Sequence, residues 1–384
     1  MTTGAPRLDR FDTAGFRRIA VLRANALGDL LFAWPALETL RHAAPSAEIV
    51  LLGKRLHAEV MAGRPAPVDR VEVLPPVPGV SVEPEADVDR EAEAAFVARM
   101  RAEDFDLALQ LHGGGRFSNP FVRRLGARLT VGLRAPDAEP LDVDLPYVYY
   151  QPEVARYLEV LGLLGIPPYR WEARFPVTAR DRAELAPFEP AAPLVAVHPG
   201  ASDARRRWSP ERFAEVIDRL AASGVNVVLT GAGGDADPVK RVSDAARSSP
   251  LDTCGRLSVG GLAALYERCD VVISNDTGPL HLAAAVGART VGLFWCGNLL
   301  NGGPATRRMH RPQVSWTLHC PLCGADCTRD LYPFRRGGPP CAHEVSFVDD
   351  ISVPEVVAAV GDLLRETTAE RLGARNDDAR KNYL

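Results

Sequence analysis

The sequence predicts an α/β protein built from two successive parallel sheets, each covered by helices, and three observations carry that class. Short apolar runs of strand length alternate with helical stretches. The same alternation starts afresh near residue 194. The length of 384 residues, with 46% hydrophobic and 24% charged residues, is that of an ordinary globular chain of two domains able to bury large cores.

In the first half, strands are read at residues 19–22, 48–52, 71–74, 107–111 and 129–131, separated by helical stretches or loops. That is the pattern of a parallel sheet under helices. Residues 75–89, rich in Pro, Glu and Val, read as a loop before a charged helix at 90–101. Residues 139–152, with prolines and aromatics, begin a change of domain. In the second half, strands fall at 194–197, 225–230, 252–254, 271–274 and 290–294, with helices at 210–222, 237–246, 259–268 and 279–286. Residues 353–371 carry apolar residues at helical spacing and read as a long helix, and the polar tail after Leu372 reads as frayed. Ligands of such sheets collect beyond the carboxyl ends of the strands, so the loops that follow the strands are the places for chemistry.

A net charge of −4 gives no global attraction to nucleic acid, and none is expected as a partner. The opening MTTGAPRLDRFDTAGFRR lacks the apolar core of a signal peptide, and no apolar run reaches the roughly 20 residues of a membrane span. A cytoplasmic protein is expected.

The most informative loop lies in VVISNDTGPLHLAAAVGARTV, where an apolar strand breaks at Ser-Asn-Asp-Thr-Gly-Pro and restarts as an Ala-rich helix. Free N–H groups and the helix dipole make such a turn a place for a phosphate. Thr277 adds a hydroxyl, Gly278 lets a ligand approach the backbone, Pro279 suits the first helical turn, and His281 lies within that turn. The same residues also fit an ordinary strand-to-helix turn capped by Asp276 or Thr277.

Other strand ends add candidates. In RANALGDLLFAWPALETL, Asn25 to Gly28 form a turn and Asp29 opens a helix, either as a cap or as a general base; Pro35 predicts a kink or a delayed helix start. In VAVHPGASDARRRWSPERFAEVI, Gly200, Ala201 and Ser202 make an open turn, and Arg205, Arg206 and Arg207 offer bidentate donors suited to phosphate. VNVVLTGAGGDAD ends in a glycine-rich turn at Gly231 to Gly234 that is neither a Walker loop nor a dinucleotide fingerprint, and Asp235 and Asp237 read as helix-start residues rather than as metal ligands. In LALQLHGGGRFSNPFVRRLGAR, His112, Arg116 and Ser118 occupy a loop that either meets a second substrate or is plain surface.

Seven cysteines are present. Cys254, Cys269 and Cys296 read as buried small hydrophobes. Cys320 and Cys323 form a Cys-x2-Cys knuckle, with Cys327 and Cys341 following. Four thiolates suit a structural tetrahedral zinc or a single iron; an iron–sulfur cluster, two disulfides or four free thiols are the alternatives.

Taken together, LRANALGDLLFAWPAL, HPGASDARRRWSPERF, the GAGGD turn and SNDTGPLHLAAAVGARTVGLF resemble glycosyltransferase family 9, the ADP-heptose:lipopolysaccharide heptosyltransferases, over nearly the whole chain and in the expected order. The resemblance implies a GT-B fold, two Rossmann-like domains with parallel sheets facing a central cleft. It implies an acceptor domain over residues 1–165, a nucleotide-sugar donor domain over 175–350 with a Cys-rich loop at 319–343, and a C-terminal helix over 353–384 that returns to the first domain. Asp29 would be the catalytic base of an inverting transfer without a catalytic metal. Ser202, Arg206, Gly231, Asp276, Thr277, Gly278 and His281 would bind the donor, and His112, Arg116 and Ser118 the acceptor. The family often has Lys where this chain has Arg206. The expected donor is ADP-heptose; the acceptor would be a glycan, a lipid-linked molecule, which would bring the protein to a membrane surface peripherally, or a small metabolite. A GT-B nucleotide-sugar epimerase and a non-catalytic sugar-nucleotide-binding protein are the rival readings.

Overall fold

The apolar run Arg18–Leu22 forms β1, with its last four residues fully buried, in a computed structural model that describes residues 15–188, 191–328 and 341–381. On one side of β1 lie β2 (Glu48–Gly53) and β3 (Arg70–Val73); on the other lie β4 (Leu107–Gln110), β5 (Leu129–Arg134) and β6 (Val143–Pro146). The order is β3-β2-β1-β4-β5-β6, and every pair is parallel. Parallel neighbours need crossovers. Four of these carry helices: α1 (Leu27–Ala43), α2 (Arg55–Met61), α3 (Arg90–Arg101) and α4 (Ser118–Arg124); α5 (Glu153–Gly162) packs on α1. One face of the sheet is closed by a core that includes Ala20, Leu22, Val50, Leu52, Phe96, Met100, Phe105, Phe121 and Val122.

The second sheet repeats the plan. Its strands are β7 (Leu194–His198), β8 (Asn226–Leu229), β9 (Leu251–Asp252), β10 (Val271–Asn275), β11 (Thr290–Trp295) and β12 (Gln313–Ser315), in the order β12-β11-β10-β7-β8-β9. All pairs are again parallel. The helices of this part are α6 (Ala179–Ala183), α7 (Pro210–Ala222), α8 (Ala236–Ala245), α9 (Val259–Arg268), α10 (Gly278–Ala285), α11 (Cys296–Gly302) and α12 (Val353–Lys381). Helix α7 shows why the sequence folds this way: Ser209 caps it by accepting the Arg212 N–H at 3.3 Å, Pro210 suits its first turn, and Phe213, Val216, Ile217 and Leu220 form its buried stripe.

Counted from its own first strand, each sheet runs third, second, first, fourth, fifth, sixth. In such sheets ligands bind where the order reverses. Those points lie beyond the ends of β1 and β4, and of β7 and β10.

The chain divides into units Met1–Pro176 and Val177–Leu384, so the first unit runs past residue 165. The stretch read as a change of domain holds β6 and leads into α5. Strand β6 lies at the edge of the sheet, is only half-buried and ends in a proline, which gives it little periodic signal. Helix α1 starts at Leu27 in spite of Pro35, so there is no delayed start; Thr39 Oγ1 donates to the Pro35 carbonyl at 2.7 Å. Helix α12 continues beyond residue 371 to Lys381 and packs against α7, β10 and β11. The last three residues of the tail lie outside the described residues. No described helix is long and apolar enough to cross a membrane.

Candidate active site

In the first unit the reversal point is organised by Arg23, which leaves the end of β1 with its side chain 2% exposed. Its guanidinium donates to the Asp29 carboxylate at 2.6 Å, to Glu153 at 3.0 Å and to the Leu111 carbonyl at 3.0 Å, and it lies 5.0 Å from the centre of the Tyr157 ring. A buried cation needs this many partners to offset lost hydration. Asp29 also accepts the Ala26 N–H at 3.1 Å, which closes the first turn of α1. Burial pushes the Asp29 carboxyl up, but Arg23 and the Ala26 N–H outweigh it and hold the group below its ordinary 3.8. Asp29 is therefore ionised at neutral pH.

His112, just after β4, reaches the same place. Its Nδ1 accepts the Ala24 N–H at 3.2 Å, so in the neutral ring the proton sits on Nε2. Burial, reinforced by Arg23, lowers its pKa to about 3. His57 is held neutral in the same way, at about 4, with Nδ1 accepting the Lys54 N–H at 3.1 Å. Arg116 is exposed, 3.8 Å from Asp137. Ser118 does not present its hydroxyl outward: it is buried, donates to the His112 carbonyl at 2.8 Å and is bonded by Gln110. Its structural part is to hold the His112 loop.

In the second unit the loops after β7 and β10 meet. Arg206 donates to the Ser202 hydroxyl at 3.1 Å and to the Asp276 carbonyl at 3.1 Å, with its guanidinium 3.7 Å from the Asp276 carboxylate. The buried Asp276 carboxylate is held further by His281 Nε2 at 3.1 Å and by Asn298, which donates at 2.8 Å. Asn275 ties the same two loops together: it accepts the Trp208 N–H at 3.1 Å and donates to the Pro199 carbonyl at 2.8 Å. Thr277 takes the N-cap position of α10 without a side-chain cap bond. Pro279 has no N–H and Leu280 donates to the Thr277 carbonyl at 3.0 Å, so the N–H groups of Thr277 and Gly278 are the ones left to meet another acceptor.

Gly231 is placed differently. A Cβ there would lie 2.8 Å from Cys254 Sγ, 2.9 Å from Val239 and 3.0 Å from the Asp235 Cβ, so packing of its own turn accounts for the glycine. Cys254 is half-buried rather than buried, unlike Cys269 and Cys296. The Asp235 carboxylate accepts the Ala232 N–H at 2.8 Å and lies 3.8 Å from the buried His198 at the end of β7.

Residues 94–311 match the family model described as glycosyltransferase family 9 (heptosyltransferase). The chain belongs to glycosyltransferase family 9. It is 25% identical over 281 residues to lipopolysaccharide heptosyltransferase 3 of Escherichia coli K12, covering 70% of this chain and 79% of that one. The fold is shared with a family 9 glycosyltransferase of Veillonella parvula, with a TM-score of 0.73, 21% identity, and 93% and 99% of the two chains covered. It is shared also with TibC of E. coli, solved as a dodecameric iron-containing heptosyltransferase in complex with ADP-D-β-D-heptose (TM-score 0.54, 14% identity, 94% and 78% covered). This is a glycosyltransferase of the two-Rossmann-unit GT-B class.

The family 9 chain also gathers a metal-type donor set in its second unit. Cys320, Cys323, Cys341 and His343 bring one ligand atom each to within 4.8 Å of one another. Cys327, expected in this set from its spacing, lies outside it: its side chain is buried and donates to the Ala325 carbonyl at 3.5 Å. His343 takes that place, two residues after Cys341. Such a set fits a tetrahedral ion of the zinc or iron type. No sequence pattern marks Glu153, Tyr157, His57, Asn298 or His198, which the structure places around these groups together with Arg23. The one visible signal was Arg23, a charged residue closing an apolar strand inside the LRANALGD motif.

Proposed function

We propose that this family 9 enzyme transfers a heptose from ADP-heptose to a hydroxyl of a lipopolysaccharide-core or other glycan acceptor, with inversion at the anomeric carbon. The observation that carries the reading is the Arg23–Asp29 pair at the β1 end, 2.6 Å apart. It gives the crevice an ionised carboxylate that no other side chain saturates fully.

The acceptor hydroxyl meets Asp29 and loses its proton to the carboxylate as its oxygen attacks the anomeric carbon and the bond to the diphosphate breaks. A carboxylate whose pKa is held below its ordinary value is a weak base, so the proton moves late, once the attacking oxygen has become acidic. His112 Nε2–H orients an acceptor oxygen. The leaving diphosphate is met by Arg206, which spends two of its five N–H donors within the loop and keeps the rest for phosphate, by Ser202 and by the N–H groups at the start of α10. Asp276 and His281 fix the loop, and the diphosphate's charge is met by protein groups without a catalytic metal.

The donor of TibC and the acceptor named for the K12 relative support these substrates. The test is a thermal-shift screen of nucleotide diphosphates and ADP-sugars, followed by transfer assays. ADP and ADP-heptose are expected to raise the melting temperature, and the Asp29→Ala variant to keep that response while losing transfer. No response to ADP or ADP-sugars would remove the donor assignment. Conversion of the donor without any acceptor would point to an epimerase.

A further inference from the structure

The Cys/His group is stitched to the loop that carries Arg206. His343 leads within four residues to Phe347, whose N–H donates to the Arg205 carbonyl at 2.8 Å. Asp349 accepts the Ser209 N–H at 3.0 Å, and the Ile351 carbonyl accepts both Trp208 Nε1 at 3.0 Å and Arg212 at 2.6 Å. On the other side, Thr317 leads to Cys320 and accepts Trp295 Nε1 at 2.7 Å. Cys320, Trp208, Trp295 and Phe347 share one buried core. The backbone that follows His343 is thus the wall behind Arg205 to Arg212, and the backbone that precedes Cys320 is tied to the end of β11.

The donor set itself has the dimensions of an ion site. Zinc with bonds of about 2.3 Å to sulfur and 2.0–2.1 Å to nitrogen sets tetrahedral edges of about 3.8 Å between sulfurs and about 3.6 Å between sulfur and nitrogen. Three of the six separations are 3.7 Å for Cys323–Cys341, 3.6 Å for Cys320–His343 and 3.5 Å for Cys341–His343, and all six lie within 4.8 Å. Three thiolates and a neutral imidazole around a divalent ion leave a net charge near −1.

We propose that Cys320, Cys323, Cys341 and His343 hold one zinc ion, and that this ion fixes the Arg205–Arg206 loop in the conformation that grips the donor diphosphate. The second half of the statement rests on the donor reading of that loop given above. The ion takes no part in the transfer; it orders backbone that has little apolar material of its own.

The test measures metal content, hydrogen exchange and ADP affinity on the full chain. The purified protein is expected to contain about one zinc per chain. Cys323→Ser and His343→Ala, both at exposed positions, are expected to lose it, whereas Cys327→Ala keeps it. In the two metal-free variants, amides of residues 200–210 exchange faster and ADP binds about tenfold more weakly, the loss of one charged hydrogen bond to phosphate. Retention of zinc by His343→Ala with loss in Cys327→Ala would restore the four-cysteine set and overturn the assignment. Iron in place of zinc overturns the choice of ion. Unchanged exchange at residues 200–210 after metal loss overturns the coupling, whether or not ADP binds. If instead exchange rises and the native protein ignores ADP, the coupling stands and the donor reading of the loop fails.

Discussion

Replacing Asp29 by Asn keeps the side chain's volume and outline while removing the proton acceptor. In the native chain its carboxylate accepts from Arg23 at 2.6 Å, from the Ala26 N–H at 3.1 Å and from Asn25 at 3.4 Å. An amide oxygen can keep one of these, and Arg23 keeps Glu153 at 3.0 Å, so the fold should survive. Loss of a positioned general base costs about 10²–10⁴-fold, or about 2.7–5.4 kcal/mol of barrier at 1.36 kcal/mol per decade. The assay is ADP release with donor and acceptor present, read as kcat, beside ADP affinity by calorimetry. Affinity should stay within about twofold, since Arg206, Ser202 and Asp276 belong to the other unit. The pH profile adds a second reading. With the carboxyl below its ordinary 3.8, Asp29 gives the native enzyme no acid limb above about pH 5. Its contribution to stability is fully present above 3.8 and is lost as pH falls through its lower folded value, so the melting difference between D29N and native protein should shrink in acid. Turnover by D29N within about threefold of native, or ADP affinity lost in step with turnover, would refute the role given to Asp29.

Arg206→Ala should weaken ADP by about tenfold to a hundredfold in calorimetry, because it removes the guanidinium that joins Ser202 and Asp276, and Arg206→Lys should recover only part of this, as an ammonium cannot bridge both. Gly231→Ala should lower the melting temperature at a cost of about 1–3 kcal/mol, since its Cβ would meet Cys254, Val239 and Asp235 within 3.0 Å; an unchanged melting temperature would reopen a ligand role for this glycine. Global stability should fall as pH drops from about 6.5 towards 4, because His57 and His198 are buried with pKa lowered to about 4 and the unfolded chain binds protons first. Chemical denaturation at pH 7 and pH 5 checks this, and equal stability at the two would contradict the burial of neutral imidazoles.

The strand-end loops were legible in the sequence because parallel strands announce themselves as short apolar runs, and a polar or glycine-rich break after such a run marks the ligand edge. Asp29, His112, Ser202, Arg206 and Asp276 all lie at strand ends that this rule picks out. Short edge strands escaped it: β6 and β12 bury too little to impose a pattern. Side-chain direction also escaped it. Ser118 turns its hydroxyl into its own loop, the Gly231 turn has no room for a Cβ, and Arg23 reads as the end of a strand until Leu111, Asp29 and Glu153 are placed around it. Cysteine spacing named three of four clustered donors, and missed His343 because a lone imidazole carries no spacing of its own.

The identical strand order of the two sheets has a consequence for how such an enzyme changes over time. Each unit is a full copy of one wiring plan, with its own reversal point and its own polar loops. Loops after β1 and β4 can drift to suit a new hydroxyl without disturbing the residues proposed to grip the nucleotide, and the reverse holds for β7 and β10. Under the proposed assignment of acceptor and donor to the two units, exchanging Met1–Pro176 for the matching half of another family 9 enzyme re-aims the sugar while its source stays constant.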